Sequence, residues 1–348
     1  MRRLPFTTTL AAFAALALLA PAGAARGQGV DDVHAILPAA GEAGYRGRKV
    51  VIDFTRPTPQ VTTLSVLRQP GGRERREFLS THGGVFVADG AVSWQYLPER
   101  RIVVKRRVLE EESAEVLRPE QVRRALASYE VRGTPAESVA GRRSRVIEFR
   151  PRQAGSRPVR KVWIDADTGL ILRSSIYSLE GRLAWLSVFE SLEYRPPLVP
   201  EDFVMRPPAG VRTVEADADP CVGEEEAVRV SGLPLVLPAY LPAGFARTCI
   251  HARRRRDYGE LQVLYSDGLS LLSLFASTRF HEPGGAAAAV AVGPWFGRWH
   301  EFGLVTGVSW RTPWAHLALL GELSRGELLK VAAAIRPPRE LSAPAARP

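Results

Sequence analysis

The segment Val162-Trp-Ile-Asp-Ala-Asp-Thr-Gly-Leu-Ile-Leu-Arg173 decides the fold class. Apolar residues fill both of its ends, and residue types that favour turns fill the middle, from Asp165 to Gly169. The segment therefore predicts two short strands joined as a β-hairpin. Asp165 and Asp167 have the spacing of a calcium loop, but the closing Glu of such a loop is missing, so a hairpin turn is the favoured interpretation.

The same alternation of short apolar runs and turns extends on both sides of this hairpin. Such runs lie at residues 50–54, 61–67, 84–88, 92–97, 102–105, 146–149 and 183–189, separated by turns such as Gln69-Pro-Gly-Gly72 and Asp89-Gly90. Strands that follow one another closely in sequence tend to pair. The region therefore predicts a large antiparallel sheet.

Two segments of this region have helical patterns. Asp31 and Asp32 open the first, which extends to about residue 43, because acidic residues favour the start of a helix. Pro119 suits the first turn of the second, which extends to about residue 128. The predicted fold class is α+β, with an N-terminal curved antiparallel β half-barrel covering helices and a smaller α+β C-terminal domain.

Large aromatic residues recur in the predicted strands. A curved sheet over helices can enclose an apolar cavity, and these side chains are the candidates for lining a lipid cavity. The set is Tyr45, Trp94, Tyr96, Trp163, Trp185 and Phe189. The alternative is that they fill a solid core.

The ends and the composition divide the chain into segments. Residues 1–24 have the order of a secretory signal: Arg2-Arg3, an apolar run and a small-residue cleavage site. That run is shorter than the roughly 20 residues of a membrane-spanning helix, although a retained anchor is the alternative. The further predicted segments are an N-terminal domain at 30–205, a Pro-rich and acidic linker at 206–232, a C-terminal domain at 233–336 and a flexible tail at 337–348.

A secretion signal predicts a soluble periplasmic protein after cleavage. The chain has two cysteines, Cys221 and Cys249, which most simply form a disulfide in an oxidising compartment; two free buried thiols are the alternative. The formal net charge of +10 favours anionic partners. Nucleic acid is not expected in that compartment.

No catalytic motif is present. The sequence lacks G-x-S-x-G, Walker A, G-x-G-x-x-G and H-E-x-x-H, and its six histidines are scattered. It therefore predicts a protein that is not an enzyme, with no cofactor and no metal site. The candidates for partner binding are Arg253, Arg254, Arg255, Arg256, Trp295, Trp299 and Trp310. A solvated basic face and a buried aromatic core are the respective alternatives.

Several segments together resemble the RseB/MucB regulators of the sigma-E envelope-stress response. The similar segments include Tyr45-Arg-Gly47, residues 73–80, 92–106, 139–142 and 162–173, and, near the C-terminus, Leu241-Pro-Ala-Gly-Phe245 and Tyr265-Ser-Asp-Gly-Leu269 with Ser273-Leu-Phe275. Carriers of the LolA type have a segment similar to 163–170 and the same half-barrel fold. The C-terminal segments separate the two families, because LolA-type carriers have a single domain.

The resemblance implies a LolA-like half-barrel able to hold lipid and a C-terminal domain. It implies binding to the periplasmic part of a membrane anti-sigma factor, which is shielded from proteolysis until lipid or lipopolysaccharide releases it. The chain departs from the family pattern at Arg157-Pro-Val-Arg-Lys161 and in the cysteine pair. A lipid or lipoprotein carrier of LolA type is the alternative function, and a structural envelope protein is a third; the sequence does not determine the oligomeric state.

Overall fold

The structure is a computed structural model that describes residues 44–79, 83–107, 116–117, 119–216, 220–279 and 287–336. The predicted signal at 1–24, the predicted helix at 31–43 and the predicted tail at 337–348 lie outside the described residues.

The first of two β-sheets has twelve strands. They are β1 (Tyr45–Asp53), β2 (Gln60–Gln69), β3 (Arg73–Phe78), β4 (Val85–Asp89), β5 (Val92–Leu97), β6 (Ile102–Arg107), β7 (Tyr129–Val139), β8 (Arg142–Pro151), β9 (Val159–Asp165), β10 (Ile171–Tyr177), β11 (Leu183–Tyr194) and β12 (Arg212–Glu215). Their order is β12-β6-β5-β4-β3-β2-β1-β11-β10-β9-β8-β7, so the sheet is open, with β12 and β7 at its edges. Every pair is antiparallel except β12 with β6. The predicted antiparallel half-barrel is confirmed.

The hairpin that decided the fold class is β9 followed by β10. The amide of Gly169 donates to the carbonyl of Asp165 at 2.9 Å, and Gly169 has φ +73°, which favours glycine. The Asp165 carboxylate accepts the amides of Asp167 and Thr168 and pairs with Arg142. Both carboxylates of the calcium-like spacing therefore serve the turn, since Asp167 also pairs with Arg142.

A short helix, α1 (Pro119–Ala125), packs against the first sheet. Val122 and Ala125 face inwards and are fully buried, together with Phe149 and Ile164 of the sheet. The helix ends three residues earlier than the sequence predicts, because the chain turns at residues 126–128 and enters β7. The aromatic ring of Tyr129, the first residue of β7, belongs to the same buried cluster.

The second sheet has seven strands in the order β13-β14-β15-β19-β18-β17-β16. They are β13 (Ala246–Arg254), β14 (Gly259–Ser266), β15 (Leu271–Ser277), β16 (Ala287–Val292), β17 (Trp295–Phe302), β18 (Val305–Arg311) and β19 (His316–Gly321). Two helices, α2 (Glu224–Ser231) and α3 (Arg325–Ala333), pack on it. Ser324 caps α3 by accepting the amide of Glu327.

The Pro-rich segment between the sheets has structure of its own. A 3-10 turn (Pro200–Phe203) buries Phe203, and Arg75 donates to the carbonyls of Asp202 and Val204. Further on, β12 joins the first sheet and α2 packs on the second. The segment is therefore a strap attached to both sheets.

Candidate functional site: the boundary between the two sheets

The two sheets meet in a buried, largely polar interface. Hydrogen bonds across it include those from Ser128 Oγ to the Ala243 carbonyl at 2.5 Å and from Arg157 Nη2 to the same carbonyl at 2.8 Å. The Ser324 amide donates to the Ser156 carbonyl at 2.9 Å, and the hydroxyls of Tyr129 and Ser270 lie 3.1 Å apart. Buried polar groups cost free energy unless they are hydrogen-bonded. These bonds therefore fix how the sheets meet.

One ion pair across this boundary joins Arg157 to Asp267. Nη1 of Arg157 lies 3.3 Å from Oδ2 of Asp267, and the two side chains are 5% and 0% exposed. The guanidinium also lies over the rings of Phe245, at 5.1 Å, and Tyr129, at 5.9 Å. Burial raises the pKa of Asp267 to about 6, although the positive charge of Arg157 opposes this rise.

A second ion pair joins Arg160 of β9 to Glu322, which follows β19. Both side chains are 4% exposed, and Nη2 of Arg160 donates to Oε2 of Glu322. The pKa of Glu322 is raised by burial, and the positive charge of Arg160 offsets only part of this rise. Arg157, two residues before β9, and Arg160, within β9, therefore both take their counter-charges from residues of the second sheet's connections.

An apolar contact completes the interface. Leu269, in the turn between β14 and β15, is 4% exposed and packs among residues of the first sheet and α1 rather than in the core of its own sheet. Its neighbours in this buried cluster include Val122, Leu126, Tyr129 and Phe149. The second sheet therefore inserts one leucine into the core between α1 and the first sheet.

The six cavity candidates divide between the two faces of the first sheet. Directly paired residues point to the same face, and the two faces alternate along a strand. Tyr45, Trp185 and Phe189 share one face; Trp185 is in register with Ile176, Arg160 and Phe149, which places it in the row that enters the interface.

Trp94, Tyr96 and Trp163 point to the opposite face. Trp94 is in register with Val87, Arg75, Leu67 and Arg46. Arg46 follows Tyr45 directly in β1, so this whole row points to the face opposite to that of Tyr45. Trp163 is buried, donates to Glu137 and lies under the guanidinium of Arg173, 4.1 Å from its ring centroid. Tyr45, Trp163 and Phe189 nevertheless belong to one buried cluster. Among the described residues, the separate cluster that contains Leu269 and the residues of α1 includes none of the six candidates.

The tryptophans chosen as partner-binding candidates point into the second sheet's core. Trp299 and Trp310 are 4% and 3% exposed, and Trp295 is partly buried in edge-to-face contact with Trp314. The neighbouring Phe296, which the sequence did not single out, is 88% exposed. A strand alternates its faces, so Phe296 points away from the side that holds the tryptophans.

The four consecutive arginines end β13 and begin the turn to β14. All four are exposed; Arg254 donates to the carbonyl of Ser231, and the amide of Arg255 donates to the carbonyl of Tyr258. Arg253 points to the face opposite to that of Arg254. The block therefore does not form one continuous basic patch on a single face.

Cys221 and Cys249 form a disulfide, the pairing that the sequence favours. The amide of Val222 also donates to the carbonyl of Ile250, at 2.9 Å. These bonds attach the end of the strap to β13.

Among the described residues, no group of three or more His, Cys, Asp or Glu side chains is arranged to hold a metal ion. In the same part of the chain, no helix is both long enough and apolar enough to cross a membrane.

Residues 39–207, which cover almost all of the first sheet, match the MucB/RseB N-terminal domain. No curated protein sequence matches the chain significantly.

The fold of the chain as a whole is similar to solved structures of MucB. The structure of MucB in complex with MucA(peri) has a TM-score of 0.60 at 21% identity and covers 88% of this chain and 98% of that one. The Pseudomonas aeruginosa MucA/MucB complex has a TM-score of 0.59 at 20% identity and covers 89% and 99%. A structure of MucB has a TM-score of 0.54 at 20% identity and covers 90% and 99%. The likeness extends over both sheets.

Sequence reasoning missed the two buried ion pairs at the boundary between the two sheets. Arg157 and Arg160 lie in the segment that departs from the family pattern, and Asp267 lies in the C-terminal signature segment. The sequence does show a basic segment at residues 157–161 and an acidic residue, Asp267, in a turn of the other domain. It does not show that the two segments are in contact.

Proposed function

We propose that this protein is a regulatory binding protein of the periplasm. It binds the periplasmic part of a membrane anti-sigma factor and shields it from proteolysis, and lipid acts through the N-terminal half-barrel. It works by binding and not by catalysis.

The observation that carries this proposal is the two-sheet fold, which is similar over nearly its whole length to MucB as seen in complex with MucA(peri). A likeness restricted to the half-barrel would fit a lipid carrier equally well. The second sheet and the strap account for about the last 150 residues of the chain, and they are included in the likeness.

We place the N-terminal domain at 30–205 and the C-terminal domain at 233–336, with the strap between them. We assign Tyr45, Trp185 and Phe189 to the lipid-responsive face, since strand register places them on the same face of the first sheet as Arg160. We assign partner contact to the exposed Arg255 and Arg256 rather than to the buried tryptophans.

The test is capture of a membrane anti-sigma factor from the same organism. The mature protein, carrying an affinity tag, is mixed with that factor's purified periplasmic segment, and the segment is then digested with a protease. We expect a stable complex in which digestion of the segment slows at least tenfold.

Arg255→Glu with Arg256→Glu should weaken the complex, whereas Arg182→Glu, an exposed change on the first sheet, should leave it intact. Failure of the segment to bind, with digestion unchanged by the mature protein, would overturn the proposed function.

A further inference from the structure

The turn between β14 and β15 is held by its own hydrogen bonds, and it carries Leu269, which packs against the first sheet. Oδ1 of Asp267 accepts the amides of Leu269 and Ser270, both at 2.8 Å, and the amide of Gly268 donates to Ser266 Oγ at 2.9 Å. Gly268 has φ +101°, a conformation that L side chains rarely adopt. The backbone of the turn is therefore held independently of the first sheet.

The apolar site that receives this leucine belongs to the first sheet. Leu269 packs in the cluster of α1 and strands β7 to β10, while its neighbour Leu272 packs in the core of the second sheet. Withdrawal of the turn would leave an apolar recess between α1 and the sheet, at the place where a half-barrel has its interior.

Two cations stand beside this recess. Arg157 and Arg160 are each nearly fully buried, and the acidic groups that neutralise them are Asp267 and Glu322 of the second sheet. A buried charge is costly without a partner. When the second sheet withdraws, both guanidinium groups need another anion.

We propose that the Asp267–Leu269 turn, with Glu322, occupies the first sheet as an internal substitute for an anionic amphiphile. Leu269 takes the place of an alkyl chain, and the carboxylates of Asp267 and Glu322 take the place of the anionic head group on Arg157 and Arg160. Amphiphile binding and docking of the two sheets are mutually exclusive. This inference rests on the proposed function, because it states how a lipid signal reaches the arrangement of the two domains.

The mechanism follows from mutual exclusion. A ligand shifts a conformational equilibrium only by its differential affinity for the two states. An amphiphile that binds only the undocked first sheet therefore separates the sheets in proportion to its concentration, and any change that weakens the turn's own binding raises the apparent affinity for the amphiphile.

The test uses the full mature protein and dodecyl phosphate below its micelle concentration, with binding measured by calorimetry. Leu269→Ala should bind dodecyl phosphate at least tenfold more tightly than the unchanged protein, because the competing side chain is removed. Leu269→Val, a milder change, should give an intermediate gain and serves if the alanine variant does not fold. Leu274→Ala is the matched control: it shortens a leucine one strand further along, in the core of the second sheet, and should give no gain.

The head group and the chain are tested separately. Inorganic phosphate and dodecyl maltoside, which supply only the charge or only the chain, should each bind at least tenfold more weakly than dodecyl phosphate. Laurate in place of dodecyl phosphate distinguishes a carboxylate head group from a phosphate. Arg157→Met with Arg160→Met should abolish the preference for an anionic head.

Separation of the sheets is measured as the distance between spin labels at Arg182→Cys and Phe296→Cys, two exposed positions on different sheets. Saturating dodecyl phosphate should change this distance. Equal affinities for the unchanged protein and Leu269→Val, or an unchanged label distance at saturation, would overturn the inference. Neither result affects capture of the anti-sigma segment, so failure of the proposed function is recognised by the capture assay alone.

Discussion

The hydroxyl of Tyr129 lies 3.1 Å from the hydroxyl of Ser270, at the point where the two sheets meet. Tyr129 begins β7, and Ser270 ends the turn between β14 and β15. Burial raises the pKa of Tyr129, so the phenol is neutral and able to donate a hydrogen bond at physiological pH. This contact is one of several buried polar contacts across the boundary, which also include the ion pairs of Arg157 with Asp267 and of Arg160 with Glu322.

Breaking the pair of Arg160 and Glu322 should destabilise the protein strongly. Glu322→Gln leaves the buried guanidinium of Arg160 without its counter-charge, which costs roughly 3–5 kcal/mol. Urea unfolding followed by tryptophan fluorescence measures the loss. Combining Glu322→Leu with Arg160→Met should recover most of the stability, since no charge is left buried. A double variant as unstable as Glu322→Gln would contradict this account.

Stability at the interface should increase on mild acidification because of Asp267. Its pKa of about 6 lies above the ordinary value of 3.8, so its contribution is fully present below 3.8 and is lost as the pH rises through 6. The facing charges are Arg157, Arg160 and Glu322. Relative to Asp267→Asn, the unchanged protein should gain about 1.4 kcal/mol of unfolding free energy between pH 7.5 and pH 5.

That comparison is made by urea unfolding of both proteins at both pH values. Groups elsewhere in the chain titrate in the two proteins alike and cancel. A gap between the two proteins that stays constant, or that changes in favour of the asparagine variant at pH 5, is the opposite of the expected result.

Reduction of the disulfide should destabilise the second sheet. Cys221 and Cys249 are 28 positions apart, and a bridge across that separation contributes about 3–4 kcal/mol in the loop-entropy model. The thermal midpoint should therefore fall on addition of a reductant. Cys221→Ser with Cys249→Ser should already have the lower midpoint, and the reductant should not change it further.

Truncation of Trp310 should lower the free energy of unfolding strongly, whereas truncation of Phe296 should hardly change it. Trp310→Ala removes a large ring from the core of the second sheet and should cost roughly 3–5 kcal/mol of unfolding free energy. Phe296→Ala removes an 88% exposed ring and should change stability by about 0.5 kcal/mol or less. Urea unfolding distinguishes the two; a large loss for Phe296→Ala would mean that this ring is packed.

Many of the strands and turns could be predicted from short sequence patterns. The turn at Asp165 to Gly169 needs residues that occupy a tight, partly left-handed connection, and this chemistry is visible in the sequence. The alternating apolar runs are signals of the same kind. They were predictable because each depends on residues within a few positions of one another.

The orientation of the aromatic side chains was harder to predict, because the face of the sheet to which a side chain points depends on strand register. Trp94 and Trp185 are both in strands, yet they point to opposite sides of the sheet. The extra residue in β11 opposite Arg48 and Lys49 reverses the alternation there, and one such residue reassigns every side chain beyond it. The periodicity of the sequence does not show whether a strand contains such an extra residue.

The sequence by itself determined the strands, their turns, the pairing of the two cysteines as the simplest choice, and the resemblance to the MucB/RseB family. Only the tertiary structure brought Arg160 to Glu322, 162 positions away, and Leu269 into the core of the other sheet. The physical reason is that a turn or a cap is specified by neighbouring residues, whereas a buried charge finds its partner only when two separately folded surfaces exclude water together.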